Sequence, residues 1–162
     1  MNTQGDQPPI EIRLAVSGDA AAIAAVLYAS FVAYQASYTD AAFTATTPTQ
    51  DQIRQRMNEG PVWVAARSNL VIGTVSAVPK GDALYIRSMA VLPAAQGQRV
   101  GALLLQQIDH FAMANGYTRL LLSTTPFLRR AIRLYEYMGF HSTSEGPHDL
   151  FGTPLVTMAK IL

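Results

Sequence analysis

The stretch best suited to chemistry is Val91-Leu92-Pro93-Ala94-Ala95-Gln96-Gly97-Gln98-Arg99-Val100-Gly101-Ala102. A strand-like segment, Ala83 to Val91, leads into it. A run with Val100, Leu103, Leu104, Gln107, Ile108 and Phe111 at helical spacing leaves it. A glycine-containing turn between a strand and a helix start aims free N–H groups and the positive end of the helix dipole at one point. Such a point suits phosphate, and the backbone N–H groups of Gln98 to Ala102 are its candidate donors. Two common phosphate loops fail on spacing. A dinucleotide fingerprint needs a middle glycine that is missing here. A nucleoside-triphosphate loop needs Lys and Ser or Thr after its second glycine, and Gly101 is followed by Ala102.

The other reactive side chains exclude several chemistries. There is no Cys, so disulfides, thiolate catalysis and zinc-thiolate sites are ruled out. His110, His141 and His148 are not spaced as a metal set, and no metal is expected. The net charge is +1, which lacks the basic footprint of a nucleic-acid binder. Hydrophobic residues make up 49% and charged residues 14%, below the ~25% of a typical soluble protein. Such a composition leaves apolar surface compatible with a homodimer. Residues Ala20 to Thr39 carry no charge, yet Ala, Ser, Gln and Tyr make them too polar for a membrane span. Ile23, Val26, Leu27 and Phe31 mark one face of a soluble helix instead. The N-terminus has no secretory pattern, so a cytoplasmic protein without a membrane partner is expected.

These residues need elements to position them. A length of 162 residues suits one domain, expected over 10–162 behind a disordered tail, Met1 to Pro9. Ile10 to Ala15 reads as a first strand, and Ser17 or Asp19 as the cap of the next helix. Ala33 to Thr47 reads as loop or broken helix. Thr47-Pro48-Thr49-Gln50 gives a helix start with a Thr cap, Pro at the first position and Gln closing a capping box. Val62 to Ala66 and Leu70 to Val78 read as strands joined at Ser68-Asn69, with a third strand after Pro79 to Asp82. Links this short require antiparallel pairing. Gly116 ends the helix after the turn. Leu120 to Ser123 is an apolar strand of the buried kind. Thr125-Pro126 opens a helix striped with Leu128, Ala131, Ile132, Tyr135 and Met138. Phe140 to Ser144 and Leu155 to Ile161 close the chain as strands. The expected fold is α/β (α+β), a mixed, mostly antiparallel sheet of about seven strands with helices on both faces, ordered βααβββαβαββ.

In that element order the chain resembles the GNAT acetyltransferase superfamily, which transfers acyl groups from coenzyme A to amines. Gln96-Gly97-Gln98-Arg99-Val100-Gly101 resembles the family's cofactor loop, Q/R-x-x-G-x-G/A, at Gln96 and Gly101. It departs at Arg99, where glycine is usual. Ala131-Ile132-Arg133-Leu134-Tyr135-Glu136-Tyr137-Met138-Gly139-Phe140 resembles the second family pattern, and Leu128 replaces its frequent Asn. The resemblance implies acetyl-coenzyme A as co-substrate, its pyrophosphate held by Gln96, Gly97, Gln98, Arg99, Val100, Gly101 and Ala102. It implies that Met89, Ala90 and Val91 pair with the pantetheine arm like an added strand. A backbone N–H there would orient the acetyl carbonyl. Tyr135 is the catalytic candidate, donating a proton to the departing thiolate, with an aromatic core residue as its alternative role.

The acceptor implied is a primary amine of a small molecule or peptide. Tyr34 and Tyr38 fall in the segment that lines the acceptor cleft in the family, with core or lid packing as their alternative, and Arg87 would suit a carboxylate on the acceptor, with a structural ion pair as its alternative. The general base is not evident. Family members often carry Glu near the positions of Arg87 and Ser88, and no carboxylate stands there. Glu145, His148, Asp149 or a water chain are the remaining routes. The missing carboxylate and Arg99 leave a non-catalytic acyl-coenzyme A binding or sensing domain as the rival reading.

Overall fold

The computed structural model describes residues 7–162, so most of the expected tail lies outside the described residues. Strands β1 (Glu11–Leu14), β2 (Val62–Arg67), β3 (Leu70–Lys80), β4 (Ala83–Val91), β5 (Arg119–Thr124), β6 (His141–Thr143) and β9 (Val156–Ile161) form a seven-stranded sheet. Its spatial order is β1-β2-β3-β4-β5-β9-β6. Every pair is antiparallel except β4 with β5. The β2–β3 turn has Ser68 and Asn69 at φ 50° and 65°, the left-handed pair a two-residue hairpin needs.

Alternation along the strands divides the core. Val62 and Val64 pack with Ile23, Val26 and Leu27 of α1 (Ala20–Phe31) and Ile53 of α3 (Gln50–Met57). Trp63 and Ala65 face the other way. They join Leu104, Leu105 and Ile108 of α4 (Val100–Ala114) and Tyr135 of α5 (Arg129–Tyr137). Period-2 strands with two apolar faces thus require a helical layer on each side. The helical run Ser17–Ser37 is long and apolar enough to cross a membrane. Here its Ile23, Val26 and Leu27 are buried against the sheet.

Several local expectations are corrected. Asp19 does not cap α1 through its side chain. Its Oδ2 accepts from the Val16 N–H at 2.8 Å, and both oxygens accept from Arg13, at 2.8 and 2.9 Å. The guanidinium fork outcompetes a helix N–H for the carboxylate. The segment expected as loop holds a 3-10 turn, Val32–Ser37, and a short helix, α2 (Asp40–Thr46). The cap of α3 is Thr49 rather than Thr47, with Gln52 closing the box. Thr47 instead donates through Oγ1 to the Phe43 carbonyl and finishes α2. Helix α5 starts at Arg129, because Thr125 to Leu128 form a turn closed by a 3.1 Å bond from the Leu128 N–H to the Thr125 carbonyl. A small ribbon, β7 (Asp149–Leu150) with β8 (Thr153–Pro154), was not expected; Thr39 ties it down, its N–H donating to Thr153 Oγ1 at 2.9 Å and its Oγ1 to the Phe151 carbonyl at 2.8 Å.

Candidate functional site

The turn before α4 is shaped by two left-handed residues, Gly97 at φ 81° and Arg99 at φ 66°. Arg99 occupies the N-cap position and offers no side-chain hydrogen bond to the helix. The first N–H groups of α4 therefore lack the usual Ser, Thr or Asp acceptor and remain donors for a ligand. Arg130 on the first turn of α5 flanks this point. Its Nη1 donates to Gln96 Oε1 at 3.0 Å, and a Cβ on Gly97 would lie 3.7 Å from its Nη2. Sequence reading missed Arg130; its position in the first turn beside the Tyr135 pattern was the available signal.

Two of the expected loop residues behave otherwise. Gln98 turns its side chain away, to Arg67 and toward the Ala94 carbonyl. Gly101 is required by packing: a Cβ there would lie 2.7 Å from Leu134 Cδ2. Its smallness lets α4 approach α5.

The sheet opens next to this turn. Ser76 pairs with Arg87 and Thr74 with Ala90, so Ser88 and Met89 of β4 oppose Val75 alone. This is a β-bulge, and Ser88 takes φ 59° to form it. The extra residue bends β4 away from β5, whose pairing with it ends at Ile86 and Leu122. Strand β5 continues to Thr124 against β9 alone. Ser30 of α1 donates through Oγ to the Val91 carbonyl at 2.9 Å and holds the splayed end in place.

A cavity of about 1090 Å³ fills the gap. It exceeds the ~300–1,000 Å³ of a usual small-ligand pocket, leaving space for two molecules. Met89, Ala90, Val91, Gln96, Gly97, Arg99, Val100, Gly101 and Ala102 line it, as do Tyr34, Tyr38, Arg87 and Tyr135. Among the residues expected to hold the cofactor, Gln98 alone is not on its wall. Thr125, at the end of β5, also lines it, and its Oγ1 is buried without a hydrogen-bond partner.

Tyr135 is 6% exposed, and its ring meets Phe140 edge-on at 6.0 Å. Burial, with a smaller contribution from Tyr38, pushes its phenol well above the usual tyrosine range. It is therefore protonated at neutral pH, the form able to donate a hydrogen bond. Tyr34 stacks on Phe127 at 6.0 Å, and Tyr38 meets the same ring edge-on at 4.9 Å, forming an aromatic wall.

The candidate bases separate. Asp149 lines the cavity, while its Oδ2 accepts from the Gly152 N–H at 2.6 Å. Glu145 is engaged by Arg119 Nη1 at 2.8 Å, and neither it nor His148 is on the wall. Four arginines, Arg56, Arg87, Arg99 and Arg130, share the lining with the one carboxylate of Asp149. Among the described residues no three His, Cys, Asp or Glu side chains cluster as metal ligands.

Known proteins share this architecture. The model of the acetyltransferase (GNAT) family matches residues 25–140. Over 146 residues the chain is 30% identical to the uncharacterized N-acetyltransferase YjgM of Escherichia coli K12, covering 86% of each protein. It is 32% identical over 106 residues to the probable N-acetyltransferase family 8 member 5 of Mus musculus. That match covers 61% of this chain and 47% of the mouse protein, so the chain spans about half of that relative's length. The PaiA N-acetyltransferase of Thermoplasma acidophilum, solved in complex with coenzyme A, superposes with a TM-score of 0.82 at 15% identity. The superposition covers 95% of this chain and 99% of that one.

Proposed function

Because this chain belongs to the acetyltransferase (GNAT) family, we propose that it moves an acetyl group from acetyl-coenzyme A to a primary amine of a small molecule or peptide. The observation that carries this reading is the single cavity running from the uncapped start of α4, through the β4–β5 gap, to Tyr135. The residues fit the co-substrate. Pyrophosphate suits the free N–H groups of α4 and the Arg99 and Arg130 guanidiniums. An extended pantetheine arm suits the splayed edge of β4 at Met89 to Val91.

The proposed reaction is direct attack in a ternary complex. The amine, once deprotonated, forms a C–N bond to the acetyl carbon, and the C–S bond breaks with its electron pair on sulfur. A backbone N–H at the bulge of β4 would stabilise the carbonyl oxygen as charge builds on it. The Tyr135 hydroxyl donates to the departing sulfur. Because burial raises its pKa, it serves as a hydrogen-bond donor whose proton, if given up, is replaced by one from the amine. Asp149 is the one wall carboxylate available to receive the amine proton, directly or through water. The test is thiol release from acetyl-coenzyme A over a panel of primary amines, alongside calorimetry with coenzyme A. Binding with turnover is expected. Binding without turnover on every acceptor class would replace this reading with a binding or sensing domain.

A further inference from the structure

We propose that the acceptor amine carries a carboxylate, held jointly by Arg56 and Arg87, an inference that rests on the acetyltransferase reading above. The two side chains come from different layers. Arg56 lies in the last turn of α3, and Arg87 stands on β4 just before the bulge. Both line the cavity.

Their present partners leave them incompletely satisfied. Arg56 Nη1 donates to Ser88 Oγ at 2.7 Å, and Nη2 reaches the Ala45 carbonyl at 3.4 Å. Neither acceptor is charged. Arg87 Nη2 lies 2.8 Å from Glu59 Oε2 as an ion pair. Both Nη2 and Nε of Arg87 are buried without a hydrogen bond. Two guanidiniums therefore share one carboxylate, leaving one positive charge uncompensated beside the acceptor end of the cavity. Burial and the nearby Arg87 charge lower the Arg56 pKa, Glu59 offsetting only part of this. Arg87 thus forms an ion pair within the protein, while Arg56 has only neutral acceptors.

Buried donors with excess positive charge are costly until an anion meets them. A carboxylate on the acceptor supplies the negative charge that Arg56 and Arg87, sharing Glu59 between them, lack. The bulge also explains the placement. Ser88, turned into the left-handed region, aims its hydroxyl at Arg56 and so fixes that guanidinium beside Arg87. The same bulge opens the gap where the thioester would lie. An amine tethered to a carboxylate, as in an α-amino acid, would thus be held by its carboxylate while its nitrogen reaches the carbonyl.

The experiment compares matched acceptors with the intact protein. Thiol release is measured for free amino acids, their carboxamides and their decarboxylated amines. The expected result is kcat/KM about ten- to a hundredfold higher for the carboxylate-bearing member of each set. Arg87→Gln and Arg56→Gln should raise the acceptor KM by about tenfold while coenzyme A binding by calorimetry stays unchanged. Arg87→Lys, which keeps charge but loses the fork, should recover part of that loss. Equal or better turnover of carboxamides and decarboxylated amines overturns this inference and leaves the acetyltransferase reading standing. Turnover of no amine at all overturns both.

Discussion

At the residue scale, Tyr135 and Asp19 show how burial decides what a polar group does. Tyr135→Phe removes one oxygen and keeps the packing against Phe140. We expect kcat to fall by about a hundredfold, with coenzyme A affinity by calorimetry unchanged. Equal turnover would reduce Tyr135 to an aromatic core residue. Asp19 is held below the ordinary carboxylate range by its Arg13 bond, with the Val16 N–H assisting and burial opposing. Its folded pKa is depressed, so the stabilisation is present above the unfolded value and lost as pH falls through the folded one. Asp19→Asn should cost about 1–2 kcal/mol in urea unfolding at pH 7. The gap between wild type and variant should shrink below about pH 4, where the carboxylate protonates.

At the element scale, the α4–α5 contact and the β4 bulge do the positioning. Gly101 has no space for a side chain beside Leu134. Gly101→Val should destabilise the fold by roughly 1–3 kcal/mol through overpacking. Adding Leu134→Ala should return part of this, because the two substitutions act on one volume. A purely additive double variant would show that Gly101 is there for another reason. The bulge at Ser88 and Met89 ends the β4–β5 pairing and creates the gap, so one extra residue in a strand produces the cavity.

At the scale of the whole molecule, the cavity joins two helical layers and both halves of the sheet, so filling it should stabilise the entire fold. Coenzyme A at a hundredfold its Kd should add about 2.7 kcal/mol. For a chain of this size that raises Tm by roughly 5–10 °C in a thermal melt. With four arginines and one carboxylate on the lining, the affinity should fall as salt is raised. A salt-independent shift would argue against charge contacts with phosphate.

The sequence by itself determined the main strands and helices, the two-faced strands and the glycine-containing turn before α4, because each depends on local periodicity or on glycine and proline chemistry. The short helix α2 and the β7–β8 ribbon were not read from it, and Tyr135, Arg87 and the Gln96 to Ala102 loop were singled out as candidates through the family resemblance. Element starts were not: Thr49 rather than Thr47 caps α3, because Thr47 is already used to finish α2. Tertiary structure alone brought Arg56 and Arg130 to the cavity, since their neighbours there come from distant parts of the chain. It also separated Asp149 from Glu145 and His148, which sequence proximity made equivalent. The bulge at Ser88 had no local signature, since strand register is set by the pairing of β3 with β4. That pairing, more than any single motif, decided where the cavity lies and which charges face it.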